Sequence, residues 1–298
     1  MGYTDNVKEV FWSESFWLPP NSTWENFQSN DAHRYTQIED ILLAWSLVPV
    51  FLATKYLLEK RVFIKVANFL GIREKPRGKL PHLDILESAF CTNPKGKWSE
   101  RQLTALSKQL DWSKEQILNW LRKRKTLEAT TLTEKFSESF WRICVYLLLF
   151  TFGMSSHWTE DWFWDPKLFW KSFPQPVSDA TKWYLFFTIT NYSSWGISHF
   201  TDVQRKDPWL MLYHHVVTVT ALYVSWMSNF HRWVFCVSLV HDVGDIFVET
   251  SKLLKYLGLP IACRVTFGLC TIFWIMTRDI IFPFFLISRY FPLIVLHY

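Results

Sequence analysis

The sequence predicts an all-α fold, a polytopic membrane helical bundle with a small cytosolic helical segment. Three observations predict it. Hydrophobic residues make up 49% of the 298 and aromatics 18%, yet the mean hydropathy is only +0.02, so a polar portion dilutes an apolar one. Six apolar runs each approach the ~20 residues a helix needs to cross a ~30 Å hydrocarbon core. Charge is shared unevenly among the loops between them, which fixes an orientation.

The runs are Ile41–Leu58, Phe140–Ser156, Trp183–Phe200, Trp209–Trp226, Trp233–Glu249 and Val265–Ile287. They lack the polar face at 3.6-residue spacing of a water-soluble bundle, which argues against a soluble protein. Residues 1–40 hold two Lys/Arg against seven Asp/Glu, and residues 59–137 hold seventeen against nine. Positive-inside bias therefore places 59–137 in the cytosol and the N-terminus in a lumen. Residues 1–40 contain no long apolar run, so the first span, 41–58, reads as an uncleaved signal anchor. "NST" at Asn21–Thr23 is a glycosylation acceptor on the predicted luminal side. The later loops agree: "TDVQRKDP" (201–208) falls on the cytosolic side and the acidic, Trp-rich "HWTEDWFWD" (157–165) on the luminal side.

The basic loop has an organisation of its own. "SERQLTALSKQLDWSKEQILNWLRKRKTL" (99–127) reads as two helices, each opened by a capping box, Ser99 with Gln102 and Ser113 with Gln116. Leu103, Leu106 and Leu110 form one apolar stripe, and Ile117, Trp120 and Leu121 another. The segment 71–128 resembles the second and third helices of a homeodomain, without a convincing first helix. A homeodomain reads adenine with an Asn on its third helix, whereas Lys123 stands at the corresponding place here. No sequence-specific DNA binding is expected. The basic run 122–125 suits anionic headgroups or plain solvation.

The five cysteines form no CxxC pair and four lie in apolar runs, which predicts neither a metal site nor a disulfide framework.

Two runs carry groups that lipid excludes. "WLMLYHHVVTVTALYVSW" holds His214 and His215, and "LVHDVGDIFVETSK" holds His241, Asp242, Asp245 and Glu249. One charge at the centre of a membrane helix costs about 2.5–3.5 kcal/mol even on the mild insertion scale, so such residues mark a functional cavity by default. Asp242, Asp245 and Glu249 recur at i, i+3 and i+7, one stripe of a helix. Asp207–Pro208 is a strong helix start, which puts His214 about 9 Å into its helix at ~1.5 Å per residue. Three readings fit these residues: polar groups that only pair between helices, a metal site in the manner of HD-type phosphohydrolases with Asp279 as a later ligand, and acyl transfer. In the last, an Asp fixes the imidazole tautomer and a His acts as nucleophile or base.

The stretch "FTDVQRKDPWLMLYHHVVTVTALYVSW", followed by "VSLVHDVGDIFVETSKLLKY", resembles the signature of the ceramide synthases, the longevity-assurance group of TLC-domain membrane proteins. The resemblance extends to "FWLPPNSTW" and to the homeodomain-like loop, and covers nearly the whole chain. It implies a TLC-type bundle over 134–298 and a multi-pass protein of the endoplasmic reticulum. The implied activity is transfer of a fatty acyl group from acyl-CoA, the co-substrate, to the amine of a sphingoid base, giving ceramide or dihydroceramide. No cofactor or metal is implied. His214, His215, Asp242 and Asp245 take the catalytic roles, with His214 and Asp245 favoured. Arg205, Lys206 and His241 are the expected substrate-binding residues, the first two through the CoA phosphates. Partners are membrane lipid and a homo- or heterodimer with family members. Family members continue into a further span that closes the helical ring, whereas here Leu293–Leu296 are too few to cross. A C-terminally shortened chain lacking that span is therefore expected, and the alternative function is a catalytically impaired partner subunit.

Overall fold

The computed structural model describes residues 12–18, 22–30, 33–72, 74, 80–93, 98–169, 171, 173–203 and 207–287. Asn21, Arg205, Lys206 and the last eleven residues, with the expected missing span, lie outside the described residues.

The described residues form helices and no strands. The principal ones are α1 (Asp40–Leu58), α2 (Asp84–Thr92), α3 (Glu100–Leu110), α4 (Lys114–Glu128), α5 (Leu132–His157), α6 (Asp179–Ser198), α7 (Pro208–Met227), α8 (His231–Tyr256) and α9 (Pro260–Trp274). α1 runs on through wide π-type turns at Glu59–Phe63, and α9 likewise through Ile275–Ile287.

Four stretches among the described residues are long and apolar enough to cross a membrane: Asp40–Phe69, Lys114–His157, Pro208–Met227 and Pro260–Phe284. The other two expected spans are present as helices α6 and α8, but too polar to qualify by composition. The reason is their position. α6 buries Thr188, Thr190, Asn191, Ser193 and Ser194, and α8 carries Asp242, Asp245 and Glu249. Both are walled by neighbours, α6 by α1, α5 and α7, and α8 by α5 and α9. Hydroxyls there bond to backbone carbonyls, as Thr190 Oγ1 does to Ala44 of α1 (3.1 Å) and Thr188 Oγ1 to Tyr184 (2.9 Å), which removes the cost of an unpaired donor. The outward faces are apolar instead: Trp209, Tyr213 and Val216 on α7, and Ile261, Val265 and Ile272 on α9, are exposed.

The helix ends gather in two sets. At one end residues 34–40 meet the start of α6 and the α7–α8 turn. Val177 N–H donates to the Arg34 carbonyl (2.8 Å), Trp226 Nε1 to the Gln37 carbonyl (2.9 Å), and Lys182 pairs with Asp40 (2.6 Å). Asn229, at φ 56, makes the turn; Asn tolerates the left-handed region better than most side chains. At the other end Lys55 of α1 pairs with Asp202 after α6 (2.5 Å).

The segment between α1 and α5 differs from the expectation. α2 is the missing first helix, and Leu86 and Phe90 pack it against Leu103, Leu106, Ile117 and Trp120. Arg124 of α4 ties it down through both Glu87 oxygens (2.9 Å each). The two capping boxes form: Ser99 Oγ accepts from Gln102 N–H (3.3 Å) and Ser113 Oγ from Gln116 N–H (3.2 Å). A third, Thr131 with Glu134, opens α5 (3.0 Å).

Candidate active site

Pro208 begins α7 as expected, although the Asp207 side chain makes no capping hydrogen bond. Six residues in, the two histidines diverge. Adjacent helical residues point ~100° apart, so His215 is buried between Trp195 (ring centroids 6.3 Å) and His199 (6.1 Å), whereas His214 is exposed. Their own rings lie 5.8 Å apart.

Both line an open-mouthed cavity of about 530 Å³ bordered by α5, α6, α7, α8, α9 and the α9 extension. Asp245, Glu249 and Lys252 of α8 face it, joined by Arg142 and Tyr146 from α5, Tyr192 and Trp195 from α6, and Trp274 and Arg278 from α9 and its extension. Hence one polar chamber collects His214, His215 and Asp245, three of the four expected catalytic residues.

Asp242, the fourth, is not on the wall. Three residues advance a helix by about 300°, which turns Asp242 some 60° from Asp245. Its carboxyl is 1% exposed and lies behind the wall beside the Tyr184 hydroxyl. His241 also lies off the wall: its Nδ1 bonds the Val237 carbonyl (2.7 Å) and its ring meets Phe282 edge-on at 5.2 Å. Asp279 is exposed. Among the described residues no group of three or more His, Cys, Asp or Glu side chains is arranged to hold a metal ion.

Two arginines supply what the histidines and carboxylates lack. Arg278 reaches Asp245 at 3.4 Å and stacks over the Trp274 ring at 3.7 Å. Arg142 pairs with Glu138 (2.9 Å), lies within 3.8 Å of Asp202 and sits over Trp195 at 5.0 Å. Lys252 pairs with Glu249 at 2.7 Å. Each carboxylate on the chamber wall thus has a cation. The sequence carries a signal for both arginines: each stands in an apolar run, "FWRICVY" and "IMTRDI", where an ionised group persists only with partners or a polar cavity.

Comparison with known proteins decides the lineage. Residues 135–294 match the family model described as TLC domain. Mouse "Ceramide synthase 5" is 32% identical over 279 residues, 93% of this chain and 67% of that protein. Human "Ceramide synthase 4" is 32% identical over 282 residues, 93% of this chain and 71% of the relative. The chain belongs to the ceramide synthase family. Mouse "Ceramide synthase 3" is similar to the same extent, 31% identical over 281 residues and 73% of its own length. In this family member the TLC match begins near the start of α5 and takes in every helix that walls the chamber. With four apolar crossing stretches, the protein is a multi-pass membrane protein.

Proposed function

We propose that this chain is a sphingoid-base N-acyltransferase: it moves a fatty acyl group from acyl-CoA to the amine of a sphingoid base and releases ceramide or dihydroceramide. The observation that carries this reading is the polar chamber that unites His214, His215 and Asp245 inside an apolar bundle. In a first step the His214 imidazole attacks the thioester carbonyl. A C–N bond forms, the C–S bond breaks, and CoA leaves as the thiol, taking the proton that the imidazole N–H gives up. In a second step the amine attacks the acyl-imidazole, the amide forms and the imidazole is regenerated. Asp245, held by Arg278, stabilises the positive charge that develops on the ring. His215, Tyr146 and Tyr192 shape the chamber, and the surrounding helices keep water from the acyl-imidazole.

Placement follows the chemistry. The chamber lies near the start of α7, at the end of the bundle assigned to the cytosol by the Lys/Arg bias. Acyl-CoA arrives from that side, where Arg205 and Lys206 attract its phosphates, and no further cofactor takes part. The endoplasmic reticulum is the proposed membrane, with residues 1–40 luminal and Asn21 glycosylated. A dimer with itself or with another family member is the proposed assembly.

The test is direct. The chain is expressed in membranes that lack ceramide synthesis, then given acyl-CoA and sphinganine. Ceramide from wild type, but not from His214→Ala or Asp245→Ala, supports the reading. Equal product from the double variant overturns it. An acyl mass on the intact protein, removed by hydroxylamine, is the expected mark of the covalent step.

A further inference from the structure

The second step of the proposed reaction has a proton to lose. An alkyl amine, like the Lys side chain, is an ammonium at pH 7, and an ammonium nitrogen has no lone pair with which to attack the acyl-imidazole. One N–H bond must break before the amide bond forms. Overall, acyl-CoA and the ammonium give the amide, the CoA thiol and one proton, which leaves the protein. The chamber mouth is a poor exit. Leu210, Tyr213 and Val217 of α7 rim it and are exposed, so an ion that passes them pays the cost of lipid. On the chamber wall Glu249 and Lys252 are committed to each other at 2.7 Å.

Behind the histidine pair the imidazoles continue in a row. His214 and His215 lie 5.8 Å apart between ring centres, and His215 lies 6.1 Å from His199, the residue that follows α6. His215 faces two spaces, the chamber and a gap of about 20 Å³ whose polar lining is Arg142, His199, Asp202 and His215. A water needs about 10–15 Å³ and two to four polar partners, so the gap suits a single water. Rings 6.1 Å apart hold their nitrogens beyond direct hydrogen-bond reach, and one water spans that distance. Asp202 also faces two spaces, the gap and a crevice of about 380 Å³ where α1, α5 and the end of α6 meet. The crevice is wet: Lys60 and Glu134 line it with side chains 49% and 42% exposed.

We propose that His215, one water in the gap, His199 and Asp202 form the exit path for the acceptor's proton. His215 takes the ammonium proton on one ring nitrogen and gives one up from the other, as an imidazole does. The gap water passes it to His199, and Asp202 delivers it to the water of the crevice. His199 touches no substrate and acts through His215. The path rests on the proposed acyl-imidazole mechanism and serves its second step alone. In the first step CoA leaves with the proton of the imidazole itself, so nothing has to be exported.

The experiment loads the full chain, in phosphatidylcholine nanodiscs, with palmitoyl-CoA, removes the excess, and follows the acyl adduct by intact-protein mass at pH 7. Two acceptors then discharge it. Sphinganine arrives as an ammonium, whereas hydroxylamine is neutral at that pH and brings no proton to export. His199→Gln is expected to load like wild type and to be discharged by hydroxylamine at the wild-type rate. Its discharge by sphinganine is expected to be about a hundredfold slower, the low end for a lost proton acceptor. Added imidazole restores sphinganine discharge in His199→Gly, which covers the case of a Gln that disturbs loading. Wild-type discharge of His199→Gln by sphinganine, equal slowing with both acceptors, or loss of loading in both variants overturns the exit path and leaves the acyl-imidazole standing. Absence of the adduct from wild type overturns the acyl-imidazole itself, and the exit path with it.

Discussion

Arg278 joins Asp245 across two helices at 3.4 Å while its guanidinium lies 3.7 Å above the Trp274 ring. The stack fixes the plane of the guanidinium, and the ion pair fixes the carboxylate that faces the histidines. Planar stacking and directed N–H donors are properties that Lys does not share. The pair is partly exposed, side chains at 21% and 25%, so its weight falls on positioning more than on fold stability.

Arg278→Gln is therefore expected to lower kcat by roughly a hundredfold, the low end of what a misplaced acid–base partner costs, with little change in KM for acyl-CoA. Arg278→Lys keeps the charge, loses the stack and falls between. Initial rates in membranes at varied acyl-CoA concentration check this. A change in KM alone would assign Arg278 to donor binding instead.

The two histidines separate by experiment. His214 is exposed to the chamber and His215 is wedged between Trp195 and His199. His214→Gln is expected to remove both turnover and the hydroxylamine-sensitive acyl adduct, a loss of about 10²–10⁴-fold. His215→Gln is expected to slow turnover and leave the adduct detectable. Intact-protein mass spectrometry beside the ceramide assay distinguishes the two outcomes.

How far the sequence reaches can be followed residue by residue. Apolar runs locate α1 and α5 to α9, because lipid demands long hydrophobic helices, and the caps Ser99 and Ser113 locate α3 and α4. The helix α2 escapes because "HLDILESAF" is short, and its stability comes from Trp120 and Arg124, some thirty residues downstream. Within the site, adjacency and the i, i+3, i+7 stripe bring His214, His215 and Asp245 to one chamber. Periodicity leaves the Asp242 angle too coarse to say that it lies behind the wall. Arg142 and Arg278 come from other helices, and their pairing with particular carboxylates depends on tertiary packing that spacing within one helix does not encode.

At Gly153 side chains of α6 and α8 lie directly against the α5 backbone. A Cβ there would sit 2.9 Å from Leu239 Cδ1 and 2.9 Å from Tyr184 Cε2, and both side chains are buried. Gly153→Ala is expected to cost about 1–3 kcal/mol through overpacking and to displace the tyrosine beside Asp242. A lower melting temperature in detergent, with a larger loss of activity than the nearby lipid-facing Leu147→Ala, is the expected pattern.

The three-helix segment before α5 has its own core around Trp120, which is 3% exposed and donates Nε1 to the Pro81 carbonyl at 3.0 Å. Trp120→Ala is expected to remove about 3–5 kcal/mol, enough to open a core this small. Limited proteolysis should then cut between residues 80 and 128, with the bundle protected and acyl transfer retained. Loss of activity in step with that cleavage would instead tie the segment to the reaction.

Lys55 and Asp202 hold α1 to the end of α6 at 2.5 Å, with side chains only 6% and 14% exposed. Ser198 Oγ adds a bond to Asp202 (2.9 Å), and Arg142 stands 3.8 Å away. Asp202→Asn leaves Lys55 enclosed without the carboxylate it pairs with, and breaking a buried pair from one side costs about 3–5 kcal/mol. Lys55→Met is expected to cost less, because Arg142 still neutralises Asp202. The double variant removes both charges, so its destabilisation should fall below that of Asp202→Asn alone. A double-mutant cycle of melting temperatures in one detergent measures the coupling. Additive losses would mean that α1 is held by its apolar face and that the ion pair adds nothing.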